Sequence, residues 1–184
     1  MDAIDLILQD HREVDGMFEQ FEQLKGDGAS ADKREVVEKI VRELSVHAAI
    51  EEEVLYPVVR DVLPDGNKLV EESLEEHQGA KEALAEIDKT SPDDPAFDAK
   101  VTELIADVRH HVEDEESGIL PKLREALDDA ARHEMGHKLE RAKFRAPTRP
   151  HPHAPATPPT NKLAGPPAAL IDRARDAMEG RESA

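Results

Sequence analysis

Two copies of a histidine–glutamate pair carry the clearest chemical signal in the sequence. Four positions separate His47 from Glu51, and the same interval separates His111 from Glu115. Side chains four positions apart on a helix point to the same side. A shift of 64 residues superimposes the two copies, including a proline six positions after each glutamate. The repeated spacing predicts that both pairs serve one site, and a two-metal site is the working hypothesis.

Four segments have apolar residues every three or four positions, which is typical of amphipathic helices. They run over about residues 3–25, 32–63, 68–89 and 97–119. Turn-forming residues separate them, and no convincing alternating strand pattern occurs. The predicted fold class is therefore all-α, as an antiparallel up-down-up-down four-helix bundle. Pro57 lacks the amide hydrogen of an ordinary helical residue, so a kink is expected there.

Six polar residues fall on the apolar stripes of these helices and are expected to face the core. They are His11 on the first helix, His47 and Glu51 on the second, His77 on the third, and His111 and Glu115 on the fourth. Each would cost about 1–3 kcal/mol or more if buried without a partner. Such a set rivals the whole stability of a domain, about 5–15 kcal/mol. Bound cations would remove this conflict.

The chain has no cysteine, so any metal must be held by nitrogen and oxygen ligands. We expect His11 and His47 at one metal and His77 and His111 at the other, with Glu51 and Glu115 bridging. Two iron ions suit this donor set, with manganese or zinc as possible substitutes. A further bridging oxygen from solvent would leave one position open on each iron. An open position would bind dioxygen, peroxide or nitric oxide.

The ordered set of six residues, with a proline after each glutamate, resembles the hemerythrin-like, or HHE cation-binding, domain family over about residues 1–143. The resemblance implies an antiparallel four-helix bundle around a non-haem di-iron centre with an oxo or hydroxo bridge. The third helix carries only His77, which gives four in-phase histidines where oxygen-carrying hemerythrins have five. This difference argues against simple reversible oxygen carriage. It implies peroxide handling, or sensing of oxygen, nitric oxide or iron.

Two functions fit this ligand set. The first is a di-iron protein that reacts with or binds a small oxidant or gas in oxidative-stress handling, with peroxidase-like or catalase-like activity. The second is a non-enzymatic sensor or iron-binding module that acts through a partner. A purely structural bundle is disfavoured by the number of polar groups expected in its core.

Other histidines resemble metal ligands but fit less well. His110 and Asp114 have the right spacing, but they fall on the polar side of the fourth helix. The run from His133 to His137 matches the zinc-protease pattern H-E-x-x-H, without a third ligand or an edge strand. The two histidines of the 151–153 segment would form only a weak site.

Several residues beside the predicted ligands have open roles. Tyr56, the only tyrosine, lies one turn beyond Glu52 and either reaches the metal cavity or simply packs. Glu52, Glu53 and Glu116 are expected mainly on solvated faces. For Glu52 and Glu116 the alternative is a hydrogen bond that orients a metal-binding imidazole.

The C-terminal part changes composition sharply. Residues 130–143 predict a short fifth helix, and residues 146–167 contain eight prolines, which favours an extended tail or strap. A short amphipathic helix is predicted over 168–178, with Leu170, Ile171, Ala174 and Met178 on its apolar side. We therefore divide the chain into a metal-binding bundle, 1–145, and a tail, 146–184, whose protein partner is unknown.

The net charge of −18 disfavours binding to nucleic acid or to anionic membranes, since both require a positive face. The first residues show no basic segment followed by an apolar run, and no stretch is apolar enough to span a bilayer. The expected location is the cytoplasm.

Overall fold

The regular secondary structure of the described chain is entirely helical. The computed structural model describes residues 1–26, 29–157 and 160–180, without the side chains of 160–167. The helices are α1 (Ala3–Leu24), α2 (Ser30–Ile50), α3 (Tyr56–Val62), α4 (Gly66–Lys89), α5 (Phe97–Asp114), α6 (Leu120–Ala126), α7 (Asp129–Lys143) and α8 (Thr160–Glu179). The all-α prediction is confirmed. None of these helices is long and apolar enough to cross a membrane.

Two π-helical segments interrupt the long helices at the repeated motif. Glu51–Leu55 joins α2 to α3, and Glu115–Ile119 joins α5 to α6. The amide after each segment bonds a carbonyl five residues back, that of Glu51 or Glu115. A proline follows one residue later and offers no amide hydrogen to an α-helical bond. The expected kink at Pro57 thus corresponds to a change of hydrogen-bond register, and the chain stays helical to Val62.

The apolar core is divided into two clusters. One includes Ile7, Ile50, Leu55, Ile119 and Leu139, and the other includes Val14, Phe18, Leu44, Leu84 and Val108. Helices α1, α2 and α4 cross from one cluster to the other, and α5 does so together with the π segment and α6 that follow it. On α1, for example, Ile7 belongs to the first cluster and Val14 to the second, with His11 between them. The predicted polar residues therefore lie between two apolar layers that limit the access of water.

Helix α7 packs against the start of the chain. Asp2 accepts a hydrogen bond from the amide of Ile4 at 2.8 Å and caps α1, and its other oxygen pairs with Arg132 at 2.7 Å. Gly136 approaches the backbone so closely that an added Cβ would lie 2.2 Å from the carbonyl oxygen of Met1. The predicted fifth helix is present, and its Met135 and Leu139 join the first apolar cluster.

The C-terminal helix is longer than predicted. It begins at Thr160, eight residues before the expected start. The side chains of its predicted apolar side, Leu170, Ile171 and Met178, are exposed. Its buried side instead carries Asp172 and Asp176.

Ion pairs explain this orientation. Arg149 pairs with Asp176 at 2.8 Å and with Glu179 at 2.5 Å, while His151 lies 2.9 Å from Asp172. Arg149 also lies 3.6 Å from Asp88 of α4. Charged contacts, which apolar spacing does not report, hold α8 against the proline-rich segment.

Candidate metal centre

All six predicted ligands are buried and lie together between the two apolar clusters. Glu51 places one carboxylate oxygen 3.2 Å from Nε2 of His47 and the other 3.3 Å from Nε2 of His77. Its two oxygens therefore face histidines from two different helices. This is the arrangement that a bridging carboxylate requires.

Glu115 has the same relation to the other two histidines. Its Oε2 lies 3.4 Å from Nε2 of His11, and its Oε1 lies 3.8 Å from Nε2 of His111. The two glutamates thus connect all four rings through their Nε2 atoms.

Candidate ligand atoms form two groups that share a carboxylate. Atoms of His11, His47, Glu51 and Glu115 lie within 4.8 Å of one another, and so do atoms of Glu51, His77 and His111. His11 and His47 fall in one group, and His77 and His111 fall in the other. Glu51 belongs to both groups.

Several buried atoms of this centre lack hydrogen-bond partners in the described structure. They are Nε2 of His11, both ring nitrogens of His47, both carboxylate oxygens of Glu51, and Oε2 of Glu115. Each such atom is costly to bury, by about 1–3 kcal/mol. Cations coordinated by imidazole nitrogen and carboxylate oxygen would use these atoms, so the residues fit a pair of iron, manganese or zinc ions.

The two glutamates have opposite pKa shifts in the metal-free protein. Burial and the nearby negative charge of Glu115 raise the pKa of Glu51 well above its usual value. Burial also acts to raise the pKa of Glu115, but the adjacent imidazole of His11 and the charge of His111 outweigh it and lower the pKa. Two carboxylates packed this closely do not both ionise easily without added positive charge.

The first two histidines are also shifted in opposite directions. Burial lowers the pKa of His11, but the adjacent carboxylate of Glu115 and the charge of Glu51 outweigh this and raise the pKa to about 9. Burial lowers the pKa of His47 to about 4. His47 is thus neutral near pH 7, the form in which imidazole binds metals.

A second set of carboxylates, called here the outer carboxylates, faces the other nitrogen of each ring. The distances to Nδ1 are 3.8 Å from Asp10 to His47, 3.1 Å from Glu52 to His77, 2.7 Å from Glu76 to His111, and 2.9 Å from Glu116 to His11. The first is longer than a hydrogen bond. A carboxylate on Nδ1 orients a ring so that Nε2 is available to a metal.

The outer carboxylates follow a closed order around the centre. Each lies next to a predicted ligand in sequence, as Asp10 precedes His11 and Glu52 follows Glu51. Asp10 of α1 faces His47 of α2, and Glu52, in the π segment after α2, faces His77 of α4. Glu76 of α4 faces His111 of α5, and Glu116, in the π segment after α5, faces His11 of α1. Their adjacency to the ligands was the available signal for Asp10 and Glu76, which the sequence analysis missed.

The expectation that Glu52 lies on a solvated face was wrong. It is buried, and Oε1 accepts a hydrogen bond from Lys81 at 2.5 Å, because α4 packs over that side of the π segment. Glu116 is partly exposed, yet it bonds His11. For both residues the alternative role, orienting an imidazole, is the one that the geometry supports.

Tyr56 reaches the centre. Its hydroxyl lies 2.9 Å from Nε2 of His77 and donates to Oε1 of Glu115 at 3.0 Å. The phenol therefore contacts one candidate ligand from each of the two groups. Burial and the charges of Glu115 and Glu51 raise the pKa of Tyr56 well above its usual value, so it remains a hydrogen-bond donor.

A cavity of about 210 Å³ adjoins the four histidines. Its apolar wall is formed by Val14, Leu44, Ala80, Leu84, Val108 and Val112. Glu76, Asp107 and His110 contribute polar groups to its lining. The space is suited to a small molecule rather than to a large organic substrate.

The other histidines lie elsewhere. His110 is exposed, and with Glu76 and Asp114 it forms a surface group of possible ligands. His133 and His137 are exposed on α7, and His153 is exposed in the proline-rich segment. His151 pairs with Asp172. None of these five histidines belongs to the buried centre.

An all-helical chain with a buried centre of histidines and shared glutamates defines a class of helical cation-binding domains. The chain belongs to the family described as the Hemerythrin HHE cation binding domain, whose model matches residues 2–123. The resemblance seen in the sequence is confirmed. The match ends before α7.

A hemerythrin-like relative and a solved structure of an HHE domain-containing protein agree with this family. The chain is 32% identical over 176 residues to an uncharacterised hemerythrin-like protein of Schizosaccharomyces pombe, covering 95% of this chain and 85% of that protein. It is also 32% identical over 146 residues to a protein of Nostoc sp. named DNA nickase, covering 78% of this chain but only 39% of that protein. A Hemerythrin HHE cation binding domain-containing protein from Mycobacterium kansasii has the same fold, with a TM-score of 0.66 and 19% identity, over 78% of this chain and 88% of that chain.

Proposed function

We propose that the six buried residues hold two iron ions, for which manganese or zinc can substitute. The observation that carries the proposal is the set of buried nitrogen and oxygen atoms without hydrogen-bond partners, in a chain of a cation-binding family. Glu51 and Glu115 would each bridge the pair, with His11 and His47 on one side and His77 and His111 on the other. A bound iron pair supplies redox chemistry with small oxidants.

The proposed ligand of this centre is dioxygen, peroxide or nitric oxide. The cavity beside the histidines has the size for such a molecule, and its apolar wall favours uncharged, poorly hydrated species. The two apolar clusters restrict water around the site. We propose a role in redox or oxidative-stress handling, with peroxidase-like or catalase-like activity as the enzymatic form.

A second candidate is a sensor of oxygen, nitric oxide or iron, or an iron-binding module. The proline-rich segment supports it, because Arg149 and His151 line a pocket shared with Glu52 and Lys81. Glu52 bonds a predicted ligand, His77, so a change at the centre has a short route to the tail. Such a sensor would act on a protein partner through residues 146–184.

The broader architecture completes the proposal. We propose that α1, α2–α3, α4 and α5–α6 form an antiparallel four-helix bundle, since each is joined to the next by a short loop and shares the same core. Residues 1–145 would be the metal-binding unit, located in the cytoplasm. We do not extend DNA nicking to this chain, because its net charge of −18 opposes phosphate binding and it spans only 39% of that relative. A membrane role is disfavoured for the same electrostatic reason.

Metal analysis of aerobically purified protein, combined with its visible absorption spectrum, tests the metal proposal. Two irons per chain with the charge-transfer bands of an oxygen-bridged pair are expected. Zinc alone would contradict the redox function. Peroxide breakdown by iron-loaded protein, lost in His77→Ala, would favour the enzyme, whereas tight binding without turnover would favour the sensor.

A further inference from the structure

The outer carboxylates are of two kinds. Asp10 and Glu52 are buried, and each pairs with a lysine. Nζ of Lys143 lies 2.5 Å from Oδ1 of Asp10, and Nζ of Lys81 lies 2.5 Å from Oε1 of Glu52. The side chains of Glu76 and Glu116, by contrast, are 37% and 41% exposed. Water can stabilise the charge of the exposed pair, but the buried pair depends on protein groups.

One lysine serves each of the two groups of candidate ligands, the first with His11 and His47 and the second with His77 and His111. Lys143 pairs with Asp10, whose other oxygen faces His47 in the first group. Lys81 pairs with Glu52, which bonds His77 in the second group. Each group therefore has one histidine next to a buried carboxylate that pairs with a partly buried lysine. Its other histidine, His11 or His111, is backed by a solvent-facing carboxylate.

A buried carboxylate is costly without a charged or hydrogen-bonding partner, and such a partner also fixes its orientation. Each lysine is such a partner for a carboxylate that faces Nδ1 of a histidine, at 3.1 Å for Glu52 and His77 and at 3.8 Å for Asp10 and His47. We propose that Lys81 and Lys143 are positioning residues of the metal centre, acting through Glu52 on His77 and through Asp10 on His47. The proposal rests on the metal centre proposed above and adds residues that lie outside the ligand set.

Lys143 lies beyond the part of the chain that the family model matches. It is the last residue of α7, which follows the stretch matched by the family. Helix α7 then contributes to the metal site as well as to the apolar core. The metal-binding unit would include residues beyond the matched 2–123.

The test compares Lys81→Met and Lys143→Met with Lys138→Met in the full chain. Lys138 is an exposed control on α7 that pairs with Glu134. Each protein is loaded with iron, and its visible spectrum and the rate of iron extraction by a chelator are measured. We expect about 10-fold faster extraction and a shifted spectrum for the first two variants, and wild-type behaviour for the control. Lys81→Arg and Lys143→Arg should release iron as slowly as the wild type, because both keep the positive charge.

A double-mutant cycle separates positioning from simple stabilisation. If Lys143 acts through Asp10, Lys143→Met combined with Asp10→Asn should release iron no faster than Asp10→Asn alone. Additive effects, or wild-type extraction rates and spectra in both lysine variants, would overturn the inference. Failure of the wild-type protein itself to bind two metals would instead refute the proposed function, so the two failures are distinguishable.

Discussion

His110 and His111 are neighbours in the chain but lie in opposite environments. His111 is buried, with Nε2 facing Glu115, whereas the side chain of His110 is 69% exposed and its Nε2 lies 3.8 Å from Asp114. Both pairs have the same four-residue spacing. The phase of the apolar residues on α5 therefore distinguishes them, as the sequence analysis expected.

Substitution of these two histidines provides a matched test of the ligand set. His111→Ala should lower the metal content below two per chain, because it removes an imidazole from the buried centre. His110→Ala should keep both metals, because its side chain lies in solvent. Elemental analysis of the two purified variants measures the difference. Equal metal loss in both would show that the exposed group around Glu76 contributes to binding.

Glu51→Gln should separate metal binding from folding stability. The variant keeps the shape of Glu51 but not its negative charge, so we expect loss of metal. Burial raises the pKa of Glu51, so the metal-free folded chain retains a proton that the unfolded chain releases above pH 4.5. The contribution of Glu51 to the stability of the metal-free wild type therefore falls as the pH rises above that value. Without metal, Glu51→Gln should be more stable than wild type at pH 7, by about 1–3 kcal/mol.

Urea denaturation of both metal-free proteins at several pH values checks this expectation. The advantage of the variant should shrink as the pH falls towards 4.5, where Glu51 becomes protonated in both states. A metal-free variant less stable than wild type at pH 7 would mean that the carboxylate has a stabilising partner of its own.

The burial of the six candidate ligands was predictable because helical phase is a local property. His11, His47 and His77 each replace an apolar residue in a regular stripe, so the sequence alone indicates that they face the core. The outer carboxylates were not predictable in the same way. Asp10 serves a histidine on another helix, and helical phase on one element does not report which neighbouring side chain it meets.

The C-terminal helix illustrates the same limit. Its apolar spacing predicted an amphipathic helix with Leu170 and Met178 on the apolar side, and both side chains are exposed. The helix is held through Asp172 and Asp176, whose partners His151 and Arg149 lie 21 and 27 residues earlier in the chain. Spacing within one helix reports its amphipathic pattern, but ion pairs with a distant segment decided which side is covered.

Tyr56→Phe tests whether the phenol hydroxyl affects the centre or only fills space. The ring would still pack, but the contacts at 2.9 Å to His77 and 3.0 Å to Glu115 would be lost. We expect the metal content to be retained, the visible spectrum to change, and the metal-free protein to lose about 1 kcal/mol of stability. Absorption spectroscopy and urea denaturation measure these effects. An unchanged spectrum would leave Tyr56 with a packing role.

Two truncations distinguish the tail from α7. A chain ending at residue 145 should fold and bind metal, because it keeps all six candidate ligands and, of the described tail, only Ala146 belongs to an apolar cluster. A chain ending at residue 127 should lose several kcal/mol, since Met135 and Leu139 each contribute about 1.5–3 kcal/mol by burial. Thermal unfolding and metal analysis compare the two. Loss of metal from the chain that ends at residue 145 would make the proline-rich segment part of the site.

Asp2→Asn should weaken the attachment of α7 to α1 in a pH-dependent way. Asparagine keeps the helix cap but loses the charged contact with Arg132 at 2.7 Å. Burial acts to raise the pKa of Asp2, but the hydrogen bonds from Arg132 and the Ile4 amide outweigh it and place the pKa below 3.8. The stabilisation by Asp2 is therefore present above about pH 3.8 and is lost as the pH falls through the lower folded value.

We expect Asp2→Asn to cost about 0.5–1 kcal/mol at pH 7, and less below pH 4, by urea denaturation of the metal-free protein. Asp5→Asn is the control, because both side chains of the Asp5–Arg124 pair are about half exposed and water screens their attraction. Its stability should match that of wild type. If the two variants lost equal stability at pH 7, burial of the Asp2–Arg132 pair would add nothing. A cost of Asp2→Asn that grew below pH 4 would contradict the lowered pKa of Asp2.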